Sequence, residues 1–254
     1  MTRLHRAWTF ALLGLACIVI SIVGCLPPAA PAPEVMGYGL TGHMTTVDLN
    51  KDVERGLLTT VCIHAAYAGA TGGLTGFDPT SAALKAFVDK CHAHGARVVL
   101  SVANFSTPDT KVLLDSHQDA LVAAIHAKVT AAGLDGVSLD LENVTDTTGY
   151  RDKYTALCEK VAKSMHDDGL KMYIAVHGIV YTRYDAPKLA ALSDGLFIMG
   201  YGYHWSGSAK AGPLAIPTSM SAAHLTGPPT RIHGPSCRPG AGWFPWLRWS
   251  LRID

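Results

Sequence analysis

Residues 134–143 read LDGVSLDLEN, an apolar run that carries two carboxylates near its end. A continuous apolar run of this length is typical of a parallel strand that is buried on both faces. Because side chains alternate along a strand, Ser138, Asp140 and Glu142 should point to one face of the sheet, and the apolar residues between them to a helix layer on the other. Carboxylates on a buried face are costly unless they are paired or used, so this strand predicts a site for chemistry.

Similar apolar runs occur on both sides of this strand, and amphipathic helical patterns separate them. The runs span residues 35–38, 60–65, 98–102, 172–176 and 196–199. Gly95, Gly133 and Gly169 stand where these helices should end. Six strands in β-α order predict a parallel sheet, either a TIM barrel or a doubly wound sheet. No Gly-x-Gly-x-x-Gly turn follows the first strand, which disfavours the dinucleotide-binding form of the second fold.

The composition indicates one globular domain. The chain has 254 residues, of which 48% are hydrophobic and 16% charged, and a single α/β barrel commonly has this length. A net charge of +1 gives no electrostatic reason to expect a nucleic-acid partner. The sequence has no CxxC pair with zinc spacing and no phosphate-binding Gly-Lys-Ser/Thr loop. We therefore predict neither a metal nor a cofactor.

Residues 1–25 resemble a bacterial lipoprotein signal peptide. Arg3 and Arg6 precede an uncharged apolar run over residues 7–23. The run ends in IVGC, which resembles a lipobox, where cleavage before the cysteine leaves Cys25 for lipid attachment. An ordinary signal peptide, or an uncleaved anchor with an incidental cysteine, is the alternative. We expect an exported protein that is bound to a bacterial membrane through lipidated Cys25, on its periplasmic or cell-surface side.

The segment after the predicted signal is a spacer. Residues 26–33 are rich in proline and alanine, which predicts a semi-extended linker.

Four cysteines lie beyond the predicted signal and linker: Cys62, Cys91, Cys158 and Cys237. Three of them lie in apolar periodic segments, which favours buried free thiols. Disulfides are the alternative, because export would permit them.

The strand at residues 134–143 is similar to the signature Asp-Gly-x-Asp-x-Asp-x-Glu of glycoside hydrolase family 18, the chitinase-like barrels. Asp135, Gly136, Asp140 and Glu142 match it, and Ser138 replaces the first Asp of the inner pair. The resemblance extends over residues 35–225.

Two other segments support this resemblance in part. Residues 100–104 (LSVAN) lie where the family carries Ser-x-Gly-Gly, and residues 199–202 (MGYG) where it carries Met-x-Tyr-Asp, with Gly202 in place of the Asp. Residues 203–206 (YHWS), followed by Gly212-Pro213, are similar to the branch that includes spore-germination and peptidoglycan-processing enzymes.

The resemblance implies a TIM (β/α)8-type barrel that hydrolyses N-acetylglucosamine-containing glycans, chitin or peptidoglycan, by substrate-assisted retaining catalysis. Glu142 would protonate the leaving oxygen and later act as a base toward water. Asp140 would orient the 2-acetamido group of the substrate, and the Tyr201 hydroxyl would hold the oxygen of that group. Ser138 could hydrogen-bond Asp140 but could not take its proton.

Several other residues are candidates for substrate binding. Tyr67, Tyr203 and Trp205 could stack on sugar rings, although they are equally explained as core or rim aromatics. Ser138 and Asn104 complete the predicted substrate-binding set. Histidines also occur near strand ends, and we interpret them as satisfied polar residues and not as metal ligands; they are His64, His177 and His204.

The predicted barrel is incomplete. A closed barrel of this type needs eight strands, and the sequence pattern shows six. Residues 226–254 are rich in Pro, Arg and Trp, show no strand or helix period, and hold a single acidic residue, Asp254. We therefore predict a partial barrel over residues 34–225 and an irregular tail, which a frameshifted or truncated reading frame explains more simply than a specialised tail. A noncatalytic glycan-binding lipoprotein and an inactive fragment are the alternatives to an active glycosidase.

Overall fold

The computed structural model of the protein describes residues 34–43, 47–145, 149–177, 183–200, 204 and 207–210. All of them belong to one unit, Glu34–Asp254. Several predictions concern residues that lie outside this described part. They are the signal peptide with Cys25 and the linker (residues 1–33), the site residues Tyr201, Tyr203 and Trp205, and residues 211–254 with Cys237.

The described chain alternates strands and helices, as the apolar runs predicted. The strands are β1 (Met36–Leu40), β2 (Thr60–Ala68), β3 (Leu74–Thr75), β4 (Arg97–Asn104), β5 (Gly136–Leu141), β6 (Lys171–His177) and β7 (Gly195–Met199). The helices are α1 (Val47–Glu54), α2 (Ala82–Ala93), α3 (Thr107–Ser116), α4 (Gln118–Ala131), α5 (Tyr150–Asp167) and α6 (Ala186–Leu192), with a 3-10 turn at Thr41–His43. Each predicted strand is present, and β5 begins and ends within the quoted stretch.

The strands form one sheet in the order β1-β2-β4-β5-β6-β7, and each neighbouring pair is parallel. The short β3 pairs antiparallel with β2. The ring centroids of Tyr38 in β1 and Phe197 in β7 lie only 4.6 Å apart. Strands five places apart in a flat sheet would be separated by about 24 Å, so the sheet is strongly curled. This arrangement confirms the prediction of an incomplete TIM-type barrel.

Apolar side chains pack in separate clusters on the two faces of the curled sheet. Val137, Leu139 and Leu141 of β5 are fully buried in the larger cluster, together with apolar residues of the helices. The inner cluster of the barrel contains Met36, Cys62, Val99, Tyr173, Ala175, Phe197 and Met199. The alternation predicted for β5 is thereby confirmed on its apolar side, which leaves Ser138 and Asp140 for the barrel interior.

The N-terminal end of the barrel interior is closed by a polar cluster around Glu34. One oxygen of its carboxylate, Oε1, accepts hydrogen bonds from Arg97 Nη2 and from the Tyr173 hydroxyl, both at 2.6 Å, and from the Thr60 hydroxyl. Burial alone would raise the pKa of Glu34, but these hydrogen bonds and the charge of Arg97 hold it below its usual value. A hydrogen-bonded ionic cluster therefore lies at the end of the barrel opposite to Asp140 and Glu142.

Three described cysteines, Cys62, Cys91 and Cys158, are buried and unbridged. The interpretation as buried free thiols is thus confirmed for these three.

Candidate active site

Asp140 lies near the C-terminal end of β5, on the inner face of the barrel. Its side chain is almost fully enclosed, with 5% of the residue exposed, and its Oδ1 atom has no hydrogen-bond partner within the described part of the chain. The pKa of Asp140 is raised to about 7, chiefly by burial and also by the charge of Glu142, while the charge of His177 opposes the shift. Asp140 can therefore carry a proton near neutral pH, and groups with a strongly shifted pKa are concentrated at functional sites.

Glu142 follows Asp140 by two residues and lies just beyond the end of β5. Its backbone N–H donates to the carbonyl oxygen of Asn104, at 3.3 Å, which ties it to the end of β4. Its side chain is 28% exposed, and Oε2 lies 3.2 Å from Nε2 of His177. The carboxylate is thus partly exposed at the rim of the barrel, while Asp140 is buried.

Ser138 forms the lower end of this row of polar side chains. Its hydroxyl lies 3.0 Å from the hydroxyl of Tyr38 in β1, and the residue is fully buried. Burial raises the pKa of Tyr38 well above its usual value, so the phenol keeps its proton. Direct contact of Ser138 with substrate stays a prediction.

Tyr38 was missed by the sequence analysis. Its position in the first apolar run, residues 35–38, was the sequence feature that could have indicated it. In the structure it pairs in register with Cys62 and faces the same interior as Ser138.

An aromatic group lies at the C-terminal ends of β2 and β4. The ring centroids of His64, Tyr67 and Phe105 are 6.3–6.4 Å apart from one another. Tyr67 is 44% exposed and Phe105 is 50% exposed, so ring surface is open to solvent close to the carboxylates. The prediction named Tyr67 and missed Phe105, which follows directly after β4 and lies outside the apolar run predicted over residues 98–102.

His64 is fixed within this group by Ser101 of β4. Its Nδ1 lies 3.0 Å from the Ser101 hydroxyl. Burial lowers the pKa of His64, although the charge of Glu142 opposes the shift. His64 is therefore a neutral imidazole near pH 7, held in one orientation beside the carboxylates.

Asn104 forms hydrogen bonds to neighbouring segments through both polar atoms of its side chain. Its Nδ2 donates to the carbonyl oxygen of Ala68 at 2.6 Å, and its Oδ1 accepts from the Ser106 N–H and the Thr110 hydroxyl. These bonds hold the end of β2 and the first turn of α3 beside β4. Its contact with substrate stays a prediction.

The described residues contain no group of three or more His, Cys, Asp or Glu side chains arranged to hold a metal ion. None of the helices in the same ranges is long and apolar enough to cross a membrane.

Solved structures with the same fold include three glycan-processing enzymes. A chitinase from Chromobacterium violaceum ATCC 12472 is 20% identical with a TM-score of 0.60, over 72% of this chain and 60% of that one. The spore cortex-lytic enzyme SleL of Bacillus cereus is 18% identical with a TM-score of 0.58, over 72% and 45%. A GH18 chitinase from Cycas revoluta, in complex with (GlcNAc)3, is 16% identical with a TM-score of 0.60, over 72% and 59%.

These similarities establish the fold, which is the one that the family resemblance implied. No protein-family model matches the sequence, and no curated protein matches it. The chain spans 45–60% of the length of the three solved proteins.

Proposed function

We propose that the protein is a glycosidase that acts on N-acetylglucosamine-containing glycans of the chitin or peptidoglycan type. The observation that carries this proposal is the pair Asp140 and Glu142, two carboxyl groups of one strand end that differ in environment. A buried carboxyl with a raised pKa and a nearby one at the solvent-exposed rim can take different roles in one reaction. The chitinases and the cortex-lytic enzyme that share the fold support the same class of substrate.

The mechanism that we propose is substrate-assisted retention. Glu142 gives a proton to the glycosidic oxygen as the bond from that oxygen to the anomeric carbon breaks. The oxygen of the substrate's 2-acetamido group attacks the anomeric carbon and forms a cyclic oxazolinium ion. A water molecule then attacks the same carbon, gives its proton to Glu142 and reopens the ring.

Asp140 has a separate role in this scheme. Its carboxyl group lies beneath Glu142, where it can hydrogen-bond the N–H of the acetamido group and orient its oxygen for attack. Tyr201 would hold that oxygen, and the exposed rings of Tyr67 and Phe105 would stack against sugar faces. Tyr203, Trp205 and Asn104 complete the proposed binding surface.

Replacement of Glu142 tests the proposal. General acid catalysis is typically worth ~10²–10⁴-fold, so Glu142→Gln should reduce the release of reducing sugar from chitin oligomers and peptidoglycan by at least ~10²-fold. Glycan binding and the melting temperature should change little, because the shape of the side chain persists. The matched control is Glu159→Gln, which alters an exposed glutamate on α5.

A loss of less than about tenfold in Glu142→Gln would contradict the assignment of Glu142. Binding of the same glycans by the unaltered protein, with no release of sugar, would instead support a noncatalytic glycan-binding protein.

We also propose that the protein is exported and lipid-anchored through Cys25. The support is the order of basic residues, apolar run and IVGC sequence at residues 1–25. Mass spectrometry of the mature protein should find lipid on an N-terminal Cys25, and Cys25→Ala should release the protein from membranes or stall its processing. A mature protein with an unmodified N-terminus at another residue would contradict this.

A further inference from the structure

The side chain of His64 on β2 connects the barrel interior with the aromatic group at its rim. Cys62 of the same strand belongs to the inner cluster, and His64 lies two residues later on the same face. The ring centroid of His64 lies 6.4 Å from that of Tyr38 inside the barrel, and 6.3–6.4 Å from those of the exposed Tyr67 and Phe105. The residue is half-buried. It therefore borders the space that a ligand stacked on the exposed rings would enter.

The two ring nitrogens of His64 differ in their contacts. Nδ1 lies 3.0 Å from the hydroxyl of Ser101, which is fully buried, whereas Nε2 has no hydrogen-bond partner within the described part of the chain. Because burial lowers the pKa of His64, the ring is neutral near pH 7. Nε2 is then a donor if Ser101 donates to Nδ1, and an acceptor if Nδ1 donates to Ser101. In either case Nε2 offers a ligand one hydrogen-bonding position that the bond to Ser101 fixes in space.

His64 and the two carboxyl groups lie on opposite sides of β4. Tyr67 of β2 pairs in register with Ala103 of β4, and Ala103 pairs with Asp140 of β5. Two strand spacings, about 9.5 Å, therefore separate the end of β2 from Asp140, and the small side chain of Ala103 lies between them. The charge of Glu142 also acts on His64, where it opposes the lowering of the pKa by burial. His64 and the carboxyl groups thus border one space across a strand whose side chain there is small.

We propose that His64 is a binding residue for the glycan, whose Nε2 forms a hydrogen bond with a hydroxyl group of the sugar that lies beside Asp140 and Glu142. A sugar hydroxyl can both donate and accept, so it can pair with Nε2 in either state of the ring. The bond to Ser101 holds the ring before the glycan binds, which lowers the conformational entropy lost on binding. A sugar that lacks this hydroxyl leaves Nε2 without a partner and binds more weakly.

This inference rests on the proposed function and adds to the site a residue that neither the proton transfer nor the stacking uses. His64 thereby contributes to the choice of substrate, while Glu142 performs the chemistry.

The test measures the Kd of chitin oligomers at pH 7 by titration calorimetry, in protein that carries Glu142→Gln so that the oligomers are not consumed. His64→Phe keeps an aromatic ring but removes both nitrogens, and it should raise the Kd about tenfold, as expected for the loss of one hydrogen bond in a partly buried site. Ser101→Ala removes only the bond to Nδ1 and should raise the Kd about threefold or less.

A second variant covers the case in which His64→Phe fails to fold because the buried hydroxyl of Ser101 loses its partner. His64→Asn keeps an amide that can bond to Ser101 but does not reach the position of Nε2, so it should also raise the Kd about tenfold. The matched control is His126→Asn, which alters an exposed histidine that pairs with Asp168 on the helix side and should leave the Kd unchanged.

Oligomers in which one hydroxyl group is replaced by hydrogen identify the partner of Nε2. The oligomer that lacks this partner should bind about tenfold more weakly to protein with His64, and His64→Phe should weaken its binding no further.

An unchanged Kd in His64→Phe and His64→Asn, or equal losses in His64→Phe and Ser101→Ala, would overturn the inference and leave the proposed function intact. A loss in His64→Phe that persists with every deoxy oligomer would overturn it as well. Absence of binding to chitin oligomers and peptidoglycan fragments by protein with His64 would instead contradict the proposed function, and this inference with it.

Discussion

Asp140 and Glu142 show how two places on one strand produce different carboxyl groups. Asp140 lies within β5 among buried side chains, and Glu142 lies past its end at the rim. A carboxyl whose pKa is raised from 3.8 to about 7 stabilises the fold most when protonated. Its contribution to the free energy of unfolding is complete below about pH 4 and is lost as the pH rises toward 7.

Asp140→Asn should therefore show a stability advantage that grows with pH. An asparagine cannot ionise, so the free energy of unfolding of the variant, relative to that of the unaltered protein, should rise by a few kcal/mol between pH 4 and pH 8. The upper limit is ~1.4 kcal/mol per unit of pKa shift. Urea denaturation at pH 4, 6 and 8 measures this difference. Asp152→Asn, at an exposed position on α5, is the control.

A difference that stays constant across pH would contradict the burial of an ionisable Asp140. The same variant should hydrolyse glycans more slowly, since function and stability conflict at such sites.

The residue-level predictions from sequence were accurate where alternation along one strand decides the outcome. Ser138 and Asp140 face the interior because Val137, Leu139 and Leu141 pack against helices. His177 was interpreted as a satisfied polar residue, and its partner proved to be Glu142. Nothing in the local pattern of either strand indicates that the two side chains meet, because their separation depends on the register between β5 and β6.

Two aspartates that precede strands serve the same structural purpose at different places in the sheet. Oδ2 of Asp135, before β5, accepts from the N–H of Val98 in β4, and Oδ2 of Asp194, before β7, accepts from the N–H of Met172 in β6. Each of the two carboxylates also pairs with a histidine of a preceding helix: His92 with Asp135 at 2.8 Å and His166 with Asp194 at 3.0 Å. Each aspartate therefore fastens the start of one strand to its neighbour.

Glycine follows each of these aspartates, and at Gly136 the close approach of β6 requires it. A Cβ at Gly136 would overlap the backbone of Lys171 at the start of β6. The Asp-Gly pair in the quoted stretch thus has a structural explanation, at the end of β5 opposite to the carboxylates proposed for catalysis.

Asp194→Asn tests whether Asp194 holds the start of β7 to β6. Burial would raise the pKa of Asp194, but hydrogen bonds from Lys171, the Met172 N–H and His166 hold it below its usual value. Its stabilisation is therefore present above the pKa of the unfolded chain and is lost as the pH falls through the lower folded value. Loss of hydrogen bonds to a charged group should reduce the free energy of unfolding by about 1–3 kcal/mol at pH 7, and by less at pH 3.

The control for this measurement is Asp167→Asn, which removes an exposed i,i+4 pair with Lys163 on α5. Such a surface pair is worth about 0–1 kcal/mol. Equal effects of the two substitutions at pH 7 would contradict the fastening role of Asp194.

The helices were predicted less completely than the strands. The helix expected before Gly133 is preceded by a separate helix, α3, which the apolar pattern did not reveal. Its start signals are present, since Ser106 caps it by accepting from the Asp109 N–H and a proline lies in its first turn. The two helices are separated by His117, whose backbone departs from helical geometry.

At the scale of the whole molecule, the curled sheet ends in two edges among the described residues. Within this part of the chain β1 pairs only with β2, and β7 only with β6. An edge strand presents backbone groups that have no partner in the sheet, so it opens more easily than a central strand.

Hydrogen exchange measured residue by residue should reveal this gradient. The amides of β4 and β5 should exchange at least ~10²-fold more slowly than those of β1 and β7, which corresponds to ~3 kcal/mol in opening free energy. Amides of α5, a long helix with seven buried side chains, provide a protected internal reference. Equal protection of edge and central strands would show that residues outside the described part pair with β1 and β7.

The order of strands and helices, and the face that each side chain takes, could be read from the sequence because they follow from periods of two and 3.6 residues. These periods relate residues that lie only a few positions apart. The same periods do not predict four contacts of the structure: Tyr38 with Ser138, Tyr38 with Phe197, Glu34 with Tyr173, and His177 with Glu142. They join residues that lie 35 to 159 positions apart in the sequence. The contacts of Tyr38 and Glu34 form because the sheet curls until its inner faces meet, and that of His177 with Glu142 because of the register between β5 and β6. That curvature results from the packing of all the strands and helices together, so the surroundings of Asp140 and Glu142 follow from the tertiary structure.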